Sequence, residues 1–218
     1  MNSQWQVLAK RWATAVLVAG MAWAGSASAT LISRGADLVY DDVLDITWTR
    51  NANLPGSSNL SWAQANTWAA NLVFAGFDDW RLPTINLTSP TRTDTRCDAV
   101  TAAACAASGN ELGYMFYQNL AGQFGNNKTG TQTAVGGEGL TDIQQIYWSG
   151  TELFPGLNAW FFFFANGSQD GVTESGTLSA WAVRSGDVVA AVAAVPEPST
   201  LALLLAGLGL LGWRNRRR

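Results

Sequence analysis

Hydrophobic residues follow several patterns along this chain, and each pattern predicts a different element. Near the N-terminus they form one unbroken run over residues 12–24, preceded by Lys10 and Arg11 and followed by the small triplet Ala27-Ser28-Ala29. A run of that length covers roughly 20 Å as a helix, against roughly 30 Å of bilayer hydrocarbon. It reads as the apolar part of a signal peptide cut between Ala29 and Thr30. Between residues 38 and 48 two β-prone stretches flank an acidic turn, which predicts a hairpin. Trp62, Ala65, Trp68, Ala69 and Leu72 then recur at three- and four-residue steps. That stripe predicts a helix opened by the capping box of Ser61 and Gln64, with Gly76 just beyond its end. A second helix is expected over 111–121, with Leu112, Met115, Phe116 and Leu120 facing inward and Gly113 weakening its first turn. Residues 124–140 are rich in Gly, Asn and Thr and read as a loop, after which strands are expected at 146–149, 159–165 and 180–184. Four consecutive phenylalanines, 161–164, cover both faces of the middle strand, so it should lie centrally with apolar material on each side. Residues 166–171 read as a turn or loop before the next strand.

The C-terminal end repeats the apolar run with the opposite finish. Pro196-Glu197-Pro198-Ser199 precedes apolar residues 201–213, and Arg214 and Arg216 to Arg218 close the chain. Cationic tips stay in the cytoplasm, so this orientation leaves everything upstream outside, in agreement with the signal peptide. The two prolines make an extended spacer that fits an enzyme's cleft. The organisation expected is therefore a signal peptide at 1–29, a folded domain at 30–190 with its core at 36–186, and a tail at 191–218.

Charge sharpens this division. Residues 30–195 hold seven basic and fifteen acidic side chains, a balance of −8 that the whole-chain value of −3 conceals. Such a surface excludes a nucleic-acid partner, which needs cations to meet phosphate. The chain has no histidine, which removes the usual zinc ligand, the usual base near neutral pH and every Ser-His or Cys-His pair. Carboxylate chemistry, a Tyr or Lys base, and oxygen-ligated calcium remain. Asp41, Asp42 and Asp45 are the calcium candidates, although they lack EF-hand spacing and turn aspartates commonly bond their own backbone. Apart from that calcium no cofactor is expected. Cys97 and Cys105, the only cysteines, lie in an insertion at about 88–109 and should pair in an oxidising compartment as a staple on a surface loop. Their spacing differs from the C-x-x-C of thiol oxidoreductases.

Val195-Pro196-Glu197-Pro198-Ser199-Thr200, the Leu/Gly-rich run and the arginine cluster resemble the PEP-CTERM sorting signal of Gram-negative bacteria. That resemblance implies recognition by a membrane-embedded exosortase, often in cells that make exopolysaccharide. In the middle of the chain stand Asp45-Ile46-Thr47-Trp48-Thr49-Arg50-Asn51-Ala52, then Asp79-Trp80-Arg81-Leu82-Pro83-Thr84, then Trp148, Trp160 and Arg184. These strings resemble the DUF1566 family, the C-terminal domain of the Legionella collagen-like adhesin. The resemblance implies an irregular, loop-rich α+β domain of the C-type-lectin and formylglycine-generating-enzyme kind, with two helices and a small, mostly antiparallel sheet. The insertion after Thr84 departs from the family pattern.

In the signature, Trp80 reads as a large anchor, Arg81 as a planar donor for loop carbonyls or a carboxylate, and Pro83 as a stop to extension. Exposed Trp and Tyr faces beside Asp and Asn would equally suit sugar rings. The expected protein is exported through the Sec translocon, held in the inner membrane by its C-terminal helix before sorting, and then placed on the cell surface or in the extracellular matrix. There it would serve, without catalysis, as a binding module for a neutral exopolysaccharide or another surface component. The alternatives are an oxidase like the formylglycine-generating enzymes, whose copper chemistry needs two active-site cysteines, and a purely structural biofilm protein.

Overall fold

A computed structural model describes residues 30–85, 97 and 100–188. The signal peptide, the Pro-Glu-Pro spacer, the apolar run 201–213 and the arginine cluster lie outside the described residues. No described helix is long and apolar enough to cross a membrane.

The fold is mixed α+β, built from short strands in small antiparallel sheets. Strands β1 (Leu31–Ser33), β2 (Leu38–Asp41) and β3 (Ile46–Thr49) form a meander, and β9 (Val183–Ser185) completes the sheet in the order β1-β2-β3-β9. The expected acidic hairpin is β2–β3, with Val39 opposite Trp48 and Asp41 opposite Ile46. Asp41 explains the turn: its Oδ1 accepts from the backbone N–H groups of Val43 and Leu44, each at 3.0 Å, as a turn aspartate does. Asp45 closes the hairpin at φ 52°, a left-handed conformation that Asp tolerates.

Helix α1 (Trp62–Ala70) begins with the capping box read from the sequence. The Ser61 hydroxyl accepts from the Gln64 amide, and Gln64 Oε1 accepts from the Ser61 amide at 2.9 Å. Ala65 and Ala69 are fully buried, while Trp62, Trp68 and Leu72 are half-buried against two core clusters. Helix α2 (Ala102–Ala107) lies in the cysteine insertion, capped by Thr101. The expected helix at 111–121 starts as α3 (Glu111–Tyr114) and widens into a π-helical turn, Met115–Asn119, in which the Leu120 amide bonds to Met115 O at 2.9 Å. The widening places Tyr117 and Asn119 inside together with Leu112, Met115, Phe116 and Leu120. Gly113 has a local reason. A Cβ there would come within 2.5 Å of the Asn110 side chain, which caps the helix by accepting from the Gly113 amide.

Strands β6 (Ile146–Phe154), β7 (Asn158–Phe163) and β8 (Ser168–Thr173) form the third sheet, with β7 in the centre. Its phenylalanines alternate as expected. Trp160, Phe162 and Phe164 enter the main core, while Ala159 and Phe161 face the cluster under α1. The main core is a nest of rings, with Trp48 and Trp181 at 4.8 Å, Phe162 and Phe164 at 5.2 Å, and Tyr147 and Phe164 at 5.5 Å between centroids.

Four expectations need correction. The strand expected over 180–184 is one only from Val183, as β9, while Ala180, Trp181 and Ala182 are buried outside any strand. The turn expected over 166–171 is confined to its start, and β8 pairs with β7 from Ser168 onward; its polar sequence and Gly171 hid it. A Cβ at that glycine would meet the end of the Leu153 side chain, which would have to turn aside. The loop expected over 124–140 contains β4 (Gly130–Thr133), paired with β5 (Gly139–Ile143). Cys97 and Cys105 do form a disulfide, with Cα atoms 5.2 Å apart, but it is not on the surface. Both residues are at most 2% exposed and pack into the main core.

Candidate functional site

The signature string folds into a knot of hydrogen bonds. The Arg81 backbone pairs with Val183, N to O at 2.8 Å and O to N at 2.9 Å, which fastens the string to β9. Its guanidinium donates to both oxygens of Glu111 at 2.8 and 2.7 Å and to Leu82 O at 3.0 Å. The same Glu111 carboxylate accepts from the Thr84 amide at 2.7 Å, the Glu111 amide donates to Thr84 O, and the Thr84 hydroxyl donates to Gly109 O. Pro83 O accepts from Gly150 at 2.8 Å. Trp80 is 3% exposed, donates to Phe77 O at 3.1 Å and meets Phe74 edge-on. Leu82 is buried in the cluster under α1.

Asp79 and Arg184 form a bidentate pair at 2.7 and 2.9 Å, with the Arg184 guanidinium over the Phe77 ring. That hydrogen-bonded guanidinium holds the Asp79 carboxyl below its usual range. Arg184 Nη1 is buried with no hydrogen-bond partner among the described residues. The other signature tryptophans are interior. Trp48 is fully buried with its indole N–H unpaired among the described residues, Trp148 donates to Leu60 O at 2.8 Å, and Trp160 is 3% exposed. Of the seven tryptophans between residues 30 and 195, the remaining ones are Trp181, also buried, and the half-buried Trp62 and Trp68. Only Trp62 and Trp68 among them therefore keep part of an indole face accessible, and Trp68 lines a surface depression.

The three calcium candidates are engaged elsewhere or lie apart. Asp41 is fully buried and its second oxygen accepts from Asn119 Nδ2 at 2.7 Å, while burial raises its pKa. Asp45 accepts from the Tyr40 hydroxyl at 2.8 Å, and Asp42 is exposed. Among the described residues no three His, Cys, Asp or Glu side chains gather in a group that could hold a metal. The phenols point the same way on protonation: Tyr40 is pushed up to about 12, first by its bond to Asp45, and Tyr114 to about 12, first by burial. Burial moves Tyr147 up further.

Two depressions lined by described residues bear on a site. The larger, about 540 Å³, lies along α1 and is lined by Gln64, Thr67, Trp68, Asn71, Leu72 and Val73, among others. Its amides are partly spent, since Gln64 Oε1 serves the helix cap and Asn71 Nδ2 donates to Thr67 O at 2.9 Å. The smaller, about 200 Å³, is lined by Ala36, Asp37, Arg50, Asn51, Phe74 and Thr141. Arg50 is its hub. Nη1 donates to Gly139 O at 2.7 Å, and Nη2 reaches Glu138 at 3.0 Å and Ser33 Oγ at 2.8 Å. The backbone of Arg50 bonds to Asp37 O and the Thr141 amide, so the two outer walls are fixed by the same residue. Sequence reading placed Arg50 and Asn51 in a family string but gave them no role, and it passed over Asp37, Phe74 and Thr141. No local pattern joins these positions.

The family model of the Lcl C-terminal domain matches residues 37–184, and the chain belongs to this family. Residues 194–218 match the PEP-CTERM protein-sorting motif. The chain is thus an exported protein of the exosortase-sorted kind, with an Lcl C-terminal domain ahead of its sorting tail. No curated protein matches it.

Proposed function

We propose that this protein is a non-catalytic binding module of the cell envelope or extracellular matrix, taking carbohydrate or another surface component as ligand. The observation that carries the reading is the pairing, on one chain, of an Lcl C-terminal domain with an exosortase-sorting motif. That pairing supports the reading of an adhesin-like domain working outside the cell. The remaining chemistry supports it. The family's most specific residues are consumed in holding loops together, and the phenols of Tyr40, Tyr114 and Tyr147 are all shifted away from acting as bases at neutral pH. An oxidase like the formylglycine-generating enzymes needs free thiols, whereas Cys97 and Cys105 are bonded to each other inside the core.

Passage through the Sec translocon, tethering by residues 201–213 and a fold of the C-type-lectin kind belong to the same reading. A domain balance of −8 disfavours sulfated, polyanionic glycans and leaves neutral exopolysaccharide as the better ligand. The test is a glycan array probed with the mature exported protein, with and without a chelator. Signal on neutral glycans is expected, and a blank array overturns the reading. Mass spectrometry of the exported protein should find Thr30 at its N-terminus.

A further inference from the structure

We propose that the small depression around Arg50 is a subsite for a single neutral, six-membered sugar ring, an inference that rests on the binding-module reading above. Its 200 Å³ corresponds to about seven waters at roughly 30 Å³ each, the scale of one sugar unit. The lining supplies what such a ring needs. Asp37 is exposed and its carboxylate bonds to no described residue, so both oxygens are free to accept from neighbouring hydroxyls. The Thr141 hydroxyl and the Asn51 Nδ2 group are likewise without described partners, because Asn51 uses only its Oδ1, toward the Asn53 amide at 2.8 Å. Phe74, half-buried and braced against Trp80 at 6.3 Å, gives an apolar wall for the ring's C–H face.

Arg50 makes this set rigid rather than merely adjacent. One guanidinium holds the β1–β2 turn through Ser33 and Gly35, and the β4–β5 hairpin through Gly139. Its Nε is buried with no hydrogen-bond partner among the described residues. Groups fixed before a ligand arrives lose little freedom on binding it.

Charge decides the class of sugar. Glu138 at 3.0 Å offsets Arg50, which leaves Asp37 as the unpaired charge of the lining. A uronic acid or sulfated ring would face that carboxylate across the pocket, whereas a neutral ring loses nothing to it.

The experiment compares the mature exported protein with its Asp37→Asn and Thr141→Val variants on an array carrying neutral, uronate and sulfated glycans. Methyl glucoside, galactoside and mannoside serve as competitors, expected to act at Kd values on the order of millimolar for so small a ligand. Thermal melting checks that each variant folds. The inference predicts neutral-glycan binding that falls about tenfold in Asp37→Asn, weakens in Thr141→Val and is displaced by one of the methyl glycosides. Neutral binding unchanged in both variants overturns this subsite and leaves the binding-module reading standing. Preference for uronate or sulfated glycans in the wild type overturns the subsite as well. A blank array removes both.

Discussion

Arg81 and Arg50 each gather several acceptors, yet their surroundings differ in what is left over. Around Arg81 both oxygens of Glu111 are occupied and the neighbouring Thr84 amide and hydroxyl are bonded. Around Arg50 the inner carbonyls are bonded, while the Asp37 carboxylate, the Thr141 hydroxyl and Asn51 Nδ2 have no hydrogen-bond partner among the described residues. Polar groups that close on each other stabilise a fold, and polar groups held in place but unused are available to a ligand. The polar groups of Arg81 and Thr84 in the family's most recognisable string are thus engaged within the fold.

The strongest challenge to this contrast is Trp80→Ala, which empties a buried indole site in the knot and should cost about 4 kcal/mol in denaturant unfolding. A loss under about 1 kcal/mol would mean the string is not structural. Arg81→Ala comes next. It leaves Glu111, 8% exposed, with an unpaired charge, and should cost about 3 kcal/mol by the same measurement.

Titration sharpens the contrast by sign. Asp79, held down by Arg184, contributes stability that is present above the ordinary carboxylate pKa and lost as pH falls through its lowered folded value. Asp41, raised by burial, carries a penalty in full above its folded pKa, and that penalty fades as pH falls through it. Stability curves of Asp79→Asn and Asp41→Asn against wild type between pH 2 and 7, as an approximate window around the carboxylate range, should therefore depart in opposite directions. Curves that shift the same way would contradict the assignment. The smallest effect is expected at the pocket. Asp37→Asn should change unfolding free energy by no more than about 0.5 kcal/mol, as for an exposed side chain without partners. A larger loss would make the pocket part of the scaffold and erase the distinction.

Legibility in the sequence followed the range of the interaction. The capping box of Ser61 and Gln64, the Asp41 turn and the alternation of Phe161 to Phe164 are all decided by residues a few positions apart, and each is visible in the string. Strand β8 was not, because Ser168-Gln169-Asp170-Gly171 is polar and is made a strand by its ladder with β7 rather than by propensity. The π-helical turn was missed for a similar reason, since its apolar residues fit an ordinary helix equally well. The disulfide could be paired on redox grounds, but its burial depends on the packing of Cys97 and Cys105 into the main core.

Sequence alone determined the sorting motif that marks an exported protein, the acidic character and the local turns and caps, because these rest on composition and on contacts between near neighbours. Tertiary structure decided which polar groups are spent and which are free. Arg81 meets Glu111 thirty positions away, and Asp37, Arg50 and Thr141 converge from three separate segments. Whether a donor is satisfied is a property of the closed fold, since its partner is chosen by packing and not by position along the chain.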